Sequence, residues 1–176
     1  MASWESVVGE LVETRASALH RYGFLLCGNR TDASDLVQEA LVRVFARPRL
    51  SWNVASVEGY VRTVMLNYFF DTRRRRRNLQ ELTPKIAESP SKDDISGNVD
   101  SRVDLISAMA GLSPRQRACI VLRYYEDQSV AGIATLLDCS EGAVKRYLSD
   151  GLKRLNDTLG GTLGEICDTP EGGVRQ

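Results

Sequence analysis

The sequence predicts an all-α fold, built as two small helical domains joined by a flexible linker, and three observations predict it. Residues 4–77 carry three stretches of apolar side chains at helical spacing, and residues 112–159 carry three more. Between them, residues 78–100 hold Pro84, Pro90, several serines and Gly97 with little apolar periodicity, the composition of a connector that cannot bury a core.

The first domain spans residues 1–77. Trp4, Val7, Val8, Leu11, Val12, Leu19, Tyr22 and Leu26 fall on one side of a long helix, and Gly28-Asn29 marks its end. Asp32 is the expected cap of a second helix, with Asp35 in its first turn and Leu36, Val37, Ala40, Leu41, Val44 and Phe45 as its apolar face up to Pro48. A polar loop over residues 51–56 contains Trp52 and Asn53. A third helix is expected from Val57, through Tyr60, Val61, Val64, Met65, Tyr68 and Phe69, into the run Arg73, Arg74, Arg75, Arg76 and Arg77 at its end.

The second domain spans residues 101–159. Ser113, with Pro114 next and Gln116 three residues on, is a capping box that opens a helix. Ile120, Val121 and Tyr124 follow at helical spacing, and Val130, Ile133, Ala134 and Leu137 form the inner face of the next helix. Asp138-Cys139-Ser140 breaks the pattern, and Ser140 is placed to cap a last helix with Val144, Leu148, Leu152 and Leu155 inward. That leaves Glu141, Lys145, Arg146 and Ser149 outward, the layout of a helix-turn-helix reader of the major groove. An ordinary solvated face is the alternative reading of Lys145 and Arg146. Residues 160–176 are Gly-rich and expected to be a mobile tail.

Charge sorts the function classes further. The net charge is zero, yet Arg43, Arg47, Arg49, Arg62 and the five consecutive arginines face only Glu58 and Asp71 over residues 43–77. The next segment reverses, with Glu81, Glu88, Asp93, Asp94, Asp100 and Asp104 against Lys85, Lys92 and Arg102. One or two arginines suffice to complement a helix dipole, whereas five like charges repel unless a polyanion neutralises them, which points to nucleic acid. Of the aromatics Tyr60, Tyr68, Phe69 and Phe70, at least half are core residues by spacing; Trp52 and Asn53, in a loop, are better placed to meet an unstacked base. Four widely spaced cysteines and a single histidine, His20, give no metal or disulfide pattern, so no metal and no cofactor are expected. No apolar run is long enough to cross a bilayer and the start has no secretion signal, so a cytoplasmic protein without membrane insertion is expected. Asp32, Asp35 and Glu39 lack the histidine, lysine or Gly-rich loop of a DNA-processing enzyme, and no catalytic residues are assigned.

DASDLVQEALVRVF, then VEGYVRTVMLNYFFDTRRRRR, then LSPRQRACIVLRYYEDQSVAGIATLLDCSEGAVKRYLSDGLKRL, in this order and across both domains, resemble the extracytoplasmic-function sigma factors of bacterial RNA polymerase. The resemblance implies that Asp35, Gln38 and Glu39 bind the clamp helices of the polymerase's largest subunit, with the flap as a second contact. It implies that Trp52 and Asn53 capture a base flipped from the minus-ten element, while Arg62, Asn67 and Arg73 to Arg77 follow the promoter backbone. It places Ser140, Glu141, Lys145, Arg146 and Ser149 at the minus-thirty-five element, and it implies an inhibitory anti-sigma factor. The family pattern after the glycine is close to TVKSRLSRGRxRL; Tyr147, Asp150 and Leu152 depart from it, so no phosphate contact carries over to them. Arg146, where serine is common, is expected to alter base preference. A helix-turn-helix regulator that works without polymerase explains residues 112–159 but not the first domain.

Overall fold

The computed structural model describes residues 4–46, 53–82 and 100–160, and all regular structure among them is helical. Seven α-helices follow in chain order: α1 (Trp4–Cys27), α2 (Arg30–Phe45), α3 (Val54–Leu82), α4 (Asp100–Ala110), α5 (Pro114–Ile120), α6 (Val130–Leu136) and α7 (Glu141–Thr158). α5 runs on into a π-helical turn over Val121–Tyr125.

The first three helices pack on one another through Val7, Leu11, Leu19, Tyr22 and Leu26 of α1, Leu36, Val37, Ala40 and Val44 of α2, and Val57, Val61, Met65, Leu66 and Phe69 of α3. The buried positions follow the predicted spacing, except that Val12 and Tyr60 lie on the exposed side. Two helix starts differ from the sequence expectation. α2 is capped by Asn29, not Asp32: the Asn29 Oδ1 accepts from the Asp32 backbone N–H at 2.8 Å. Gly28, at φ +85°, ends α1 in the left-handed region that glycine adopts without strain, so cap follows terminator directly. Asp32 then falls in the first turn, where its charge complements the helix dipole.

α3 begins at Val54 rather than Val57, because Asn53 caps it by accepting the Ser56 N–H at 2.9 Å. It also continues past the arginines to Leu82, so the run is interior to the helix. Asn78, Leu79, Gln80, Glu81 and Leu82 are adequate helix formers, which lets the helix run on past the arginines. The linker expected from residue 78 therefore starts inside α3; residues 83–99, and 161–176 of the expected tail, lie outside the described residues.

The second half is a helix-turn-helix set on α4, an element the sequence did not announce. Ser113 and Gln116 form the predicted capping box, and Ile133, Ala134, Leu137, Val144 and Leu155 close the core around Cys119 and Ile120. Tyr124, expected inside, is instead exposed, since the π-helical turn rotates it off the inner face. Asp138, at φ +49°, takes the left-handed turn position, and Cys139 N–H donates to the Ala134 carbonyl at 3.0 Å, a Schellman closure of α6. Gly151 lets α7 approach α5: a Cβ there would stand 2.8 Å from the Ile120 Cδ1. The buried cores of the two halves are continuous, because α5 and the π-helical turn seat against α1 and α3.

Candidate nucleic-acid interface

Two basic helical faces and one acidic face frame the site. On α7, Ser140 caps the helix by accepting the Ala143 N–H at 3.2 Å, which sets the first turn of the reader. With Val144 and Leu155 fully buried and Leu148 and Leu152 partly so, Glu141, Lys145, Arg146 and Ser149 are exposed together, as expected. The Arg146 guanidinium lies 6.0 Å from the Tyr147 ring, and the half-buried Tyr147 packs against the core, so this departure from the family pattern has a structural job.

On α3 the five arginines divide by helical position. Arg73 and Arg76, three apart, turn back onto the domain. Arg73 donates to the Cys27 carbonyl at 3.4 Å and stands over the Phe69 ring. Arg76 grips the Asp32 carboxylate with both nitrogens at 3.1 Å. The hydrogen bond from Arg76 holds the Asp32 carboxyl below the ordinary carboxylate range, against a partial opposing effect of burial. Arg74, Arg75 and Arg77 are exposed. Asn67 is exposed as well.

Arg62 behaves differently from the expectation. It lies at the seam between the halves, donating to Glu58 at 2.6 Å and to Glu126 across the seam, with only 18% of its side chain exposed. Burial would lower its pKa, but the Glu58 hydrogen bond and the charges of Glu126 and Glu58 outweigh burial and raise it. Two facing carboxylates occupy the guanidinium that a phosphate would use. Asn53 is exposed at the tip of α3, but its side-chain oxygen is spent on the helix cap. Trp52 lies outside the described residues.

On α2, Asp35 and Gln38 are exposed and Glu39 is half-buried, pairing with Arg43 at 2.9 Å. They share the face opposite Leu36, Ala40 and Val44. Arg43 in turn lies 4.5 Å over the Tyr68 ring, tying this acidic face to α3.

Sequence reasoning missed Arg117. It is buried at 4% exposure, its Nε donates to the Leu25 carbonyl of α1 at 2.9 Å, and its Nη2 has no partner. Burial, and then the Arg73 charge, push its pKa down to about 10. Its one local signal is an arginine on the inner face of an amphipathic helix. Burial, reinforced by Asp32 and Cys139 respectively, pushes the Cys27 and Cys119 thiols up to about 11 and about 12, which disfavours their thiolates. Among the described residues no group of three histidine, cysteine or carboxylate side chains is placed to hold a metal ion, and no helix is long and apolar enough to cross a membrane.

A helical module with a basic helix and an outward acidic face, followed by a helix-turn-helix whose last helix carries outward cations, is the build of a two-module DNA-binding transcription factor. The Sigma-70 region 2 family profile matches residues 11–79, and the Sigma-70 region 4 profile matches residues 102–155. The chain is 35% identical over 150 residues to the RNA polymerase sigma-E factor of Streptomyces coelicolor, covering 85% of this chain and 84% of that one. It is 33% identical over 163 residues to the ECF RNA polymerase sigma factor SigL of Mycobacterium tuberculosis, covering 90% and 92%. Its fold is similar to that of the sigma factor RpoE, solved in complex with the anti-sigma factor NepR from Bartonella quintana, at a TM-score of 0.65 and 25% identity over 83% of this chain and 92% of that one. The chain belongs to the extracytoplasmic-function sigma factors of the sigma-70 family, and it is an RNA polymerase sigma factor.

Proposed function

We propose that residues 1–77 form the module that docks on core RNA polymerase and meets the minus-ten element, and that residues 101–159 read the minus-thirty-five element. The single observation that carries this assignment is the pair of outward basic faces, Arg74, Arg75 and Arg77 on α3 and Lys145 and Arg146 on α7, held on separate modules. Lysine and arginine donate to guanine acceptors in the major groove, and α7 presents both near its amino-terminal half beside Ser140, Glu141 and Ser149. The α3 arginines lie on one continuous helix and suit phosphates, which position without specifying. Arg73 and Arg76 support this face from behind.

Asp35, Gln38 and Glu39 are the proposed contact with the clamp helices of the polymerase, the core-facing side of α2 being already filled. The flap is the proposed seat of the second module. Unstacking a base at the minus-ten element costs on the order of a few kcal/mol, which Trp52, Asn53 and the basic flank offset. The factor acts in the cytoplasm, with no cofactor and no catalytic residue of its own. An anti-sigma factor is a further proposed partner, supported by the complex in which the similar RpoE was solved.

Run-off transcription tests the assignment. Purified core polymerase plus this chain is expected to give discrete start sites on a genomic promoter library that core alone does not give. Asp35→Lys combined with Glu39→Lys is expected to abolish them while leaving duplex binding intact. Duplex binding without any programmed start would make the chain a polymerase-independent helix-turn-helix regulator.

A further inference from the structure

The outward face of α7 carries a carboxylate that nothing inside the protein explains. Asp150 lies four residues after Arg146 and is exposed with it, on the side opposite Val144 and Leu155. Aspartate is among the weaker helix formers, and Asp150 stands in the middle of an 18-residue helix, too far from its amino end for the dipole to favour a negative charge. Glu141 has that reason to be where it is, since it lies in the first turn.

The cations at pairing distance along the helix are turned away from Asp150. Arg154, four residues on, donates to the Gly111 carbonyl at 3.4 Å, just past the end of α4. Arg146, four residues back, holds its guanidinium 6.0 Å from the Tyr147 ring, and that ring is fixed because it packs against the core. An arginine that precedes its acid by four residues is also the weaker order for a helical pair. Among the described residues Asp150 forms no hydrogen bond or ion pair, with Lys153 or with any other side chain.

A carboxylate on a DNA-facing helix is repelled by phosphates and by the O6 and N7 acceptors of guanine. One base edge suits it: cytosine presents its N4 amino group in the major groove, a donor that aspartate accepts. The same charge therefore selects cytosine and rejects guanine at one base pair, so attraction and repulsion both add to discrimination. A reading helix advances about one base for every three or four residues, which puts that cytosine one or two base pairs from the guanine that Arg146 meets.

We propose that Asp150 is a specificity-determining residue that accepts a hydrogen bond from the N4 amino group of a cytosine in the upstream promoter element, and that Tyr147 is a positioning residue that keeps Arg146 off it. This role of Asp150 rests on the reading of α7 as the helix of the minus-thirty-five element.

Selection from a randomised promoter tests both residues. A promoter that core polymerase uses only with this chain is rebuilt with its upstream element randomised, and the duplexes retained by the holoenzyme are sequenced. The natural chain is expected to select a cytosine within two base pairs of a guanine, with about tenfold discrimination against the other bases. Asp150→Ala is expected to lose discrimination at that base pair alone, and Asp150→Arg to replace the cytosine by guanine, whose acceptors arginine meets. Tyr147→Leu is expected to weaken the cytosine preference by releasing Arg146 onto Asp150, whereas Tyr147→Phe, which keeps the ring, retains it; helicity by circular dichroism shows that each variant is folded. A guanine preference that Arg146→Ala removes, with no cytosine near it, overturns the role of Asp150 and leaves α7 as the reader. Absence of any upstream preference in the natural chain overturns α7 as the reader, and Asp150 with it. Binding that rises by one factor on all four bases in Asp150→Ala marks a carboxylate that only repels phosphate, and overturns the role as well. Cytosine discrimination that survives Tyr147→Leu overturns the part given to Tyr147.

Discussion

α7 and α3 are both basic helices of a promoter-binding protein, yet they hold their charges differently. On α7, Lys145 and Arg146 are exposed above a buried apolar stripe. On α3 some of the charge is spent inside the protein: Arg62 between two glutamates, Arg73 on a helix end, Arg76 on Asp32. The difference teaches that a run of arginines is not a uniform surface. A helix 29 residues long passes through several environments, and its three-and-four-residue period decides which charge meets which.

The largest expected effect tests whether the two regions are separate folding units. Leu26→Ala in the first and Ile133→Ala in the second each remove a fully buried side chain and are expected to cost about 2–5 kcal/mol. Because Arg117 and Arg62 carry the hydrogen bonds across the seam beside the shared apolar core, calorimetry is expected to show two transitions, each variant lowering only its own. A single transition lowered equally by both would make the seam as strong as the cores.

Arg146→Ala is expected to cost about 1–3 kcal/mol on the cognate promoter and to relax specificity at one base, whereas Arg75→Ala weakens binding evenly across sequences and flattens the salt dependence by about one phosphate. Anisotropy titrations over a panel of single-base promoter variants separate the two. Ser140→Ala removes the cap of the reading helix and is expected to lower the stability of the second region by about 1 kcal/mol, read from its own calorimetric transition.

The smallest effect belongs to the Asp32–Arg76 pair, whose side chains are 27% and 53% exposed, so that solvent screening holds it below about 1 kcal/mol. The Asp32 pKa is depressed on folding, so its contribution is complete above the unfolded carboxylate value and is lost as pH falls through the lower folded value. Urea midpoints are expected to fall less steeply in Asp32→Asn than in the natural chain between about pH 5 and pH 3.

Much of the fold was legible because its signals are local. The capping box at Ser113 and Gln116, the Ser140 cap, the glycine terminator at Gly28 and the apolar stripes each depend on residues within about four positions. Asn29 and Asp32 are both good caps by type, and the choice between them turns on where Gly28 ends α1. Tyr124 fits the inward spacing yet lies outside, because a π-helical turn leaves no mark on apolar spacing. On the site, the outward face of α7 and the acidic face of α2 followed from periodicity alone, while the roles of Arg62 and Arg117 did not.

The sequence by itself determined the helices, most of their caps, the helix-turn-helix and the outward charges at its reading end, since all of these are fixed by neighbours in the chain. Only the tertiary structure decided that the two halves close on each other and which arginines they enclose. Arg62 meets Glu126 across 64 positions and Arg117 meets Leu25 across 92, and at such separations pairing follows from how cores pack, not from any pattern along the chain.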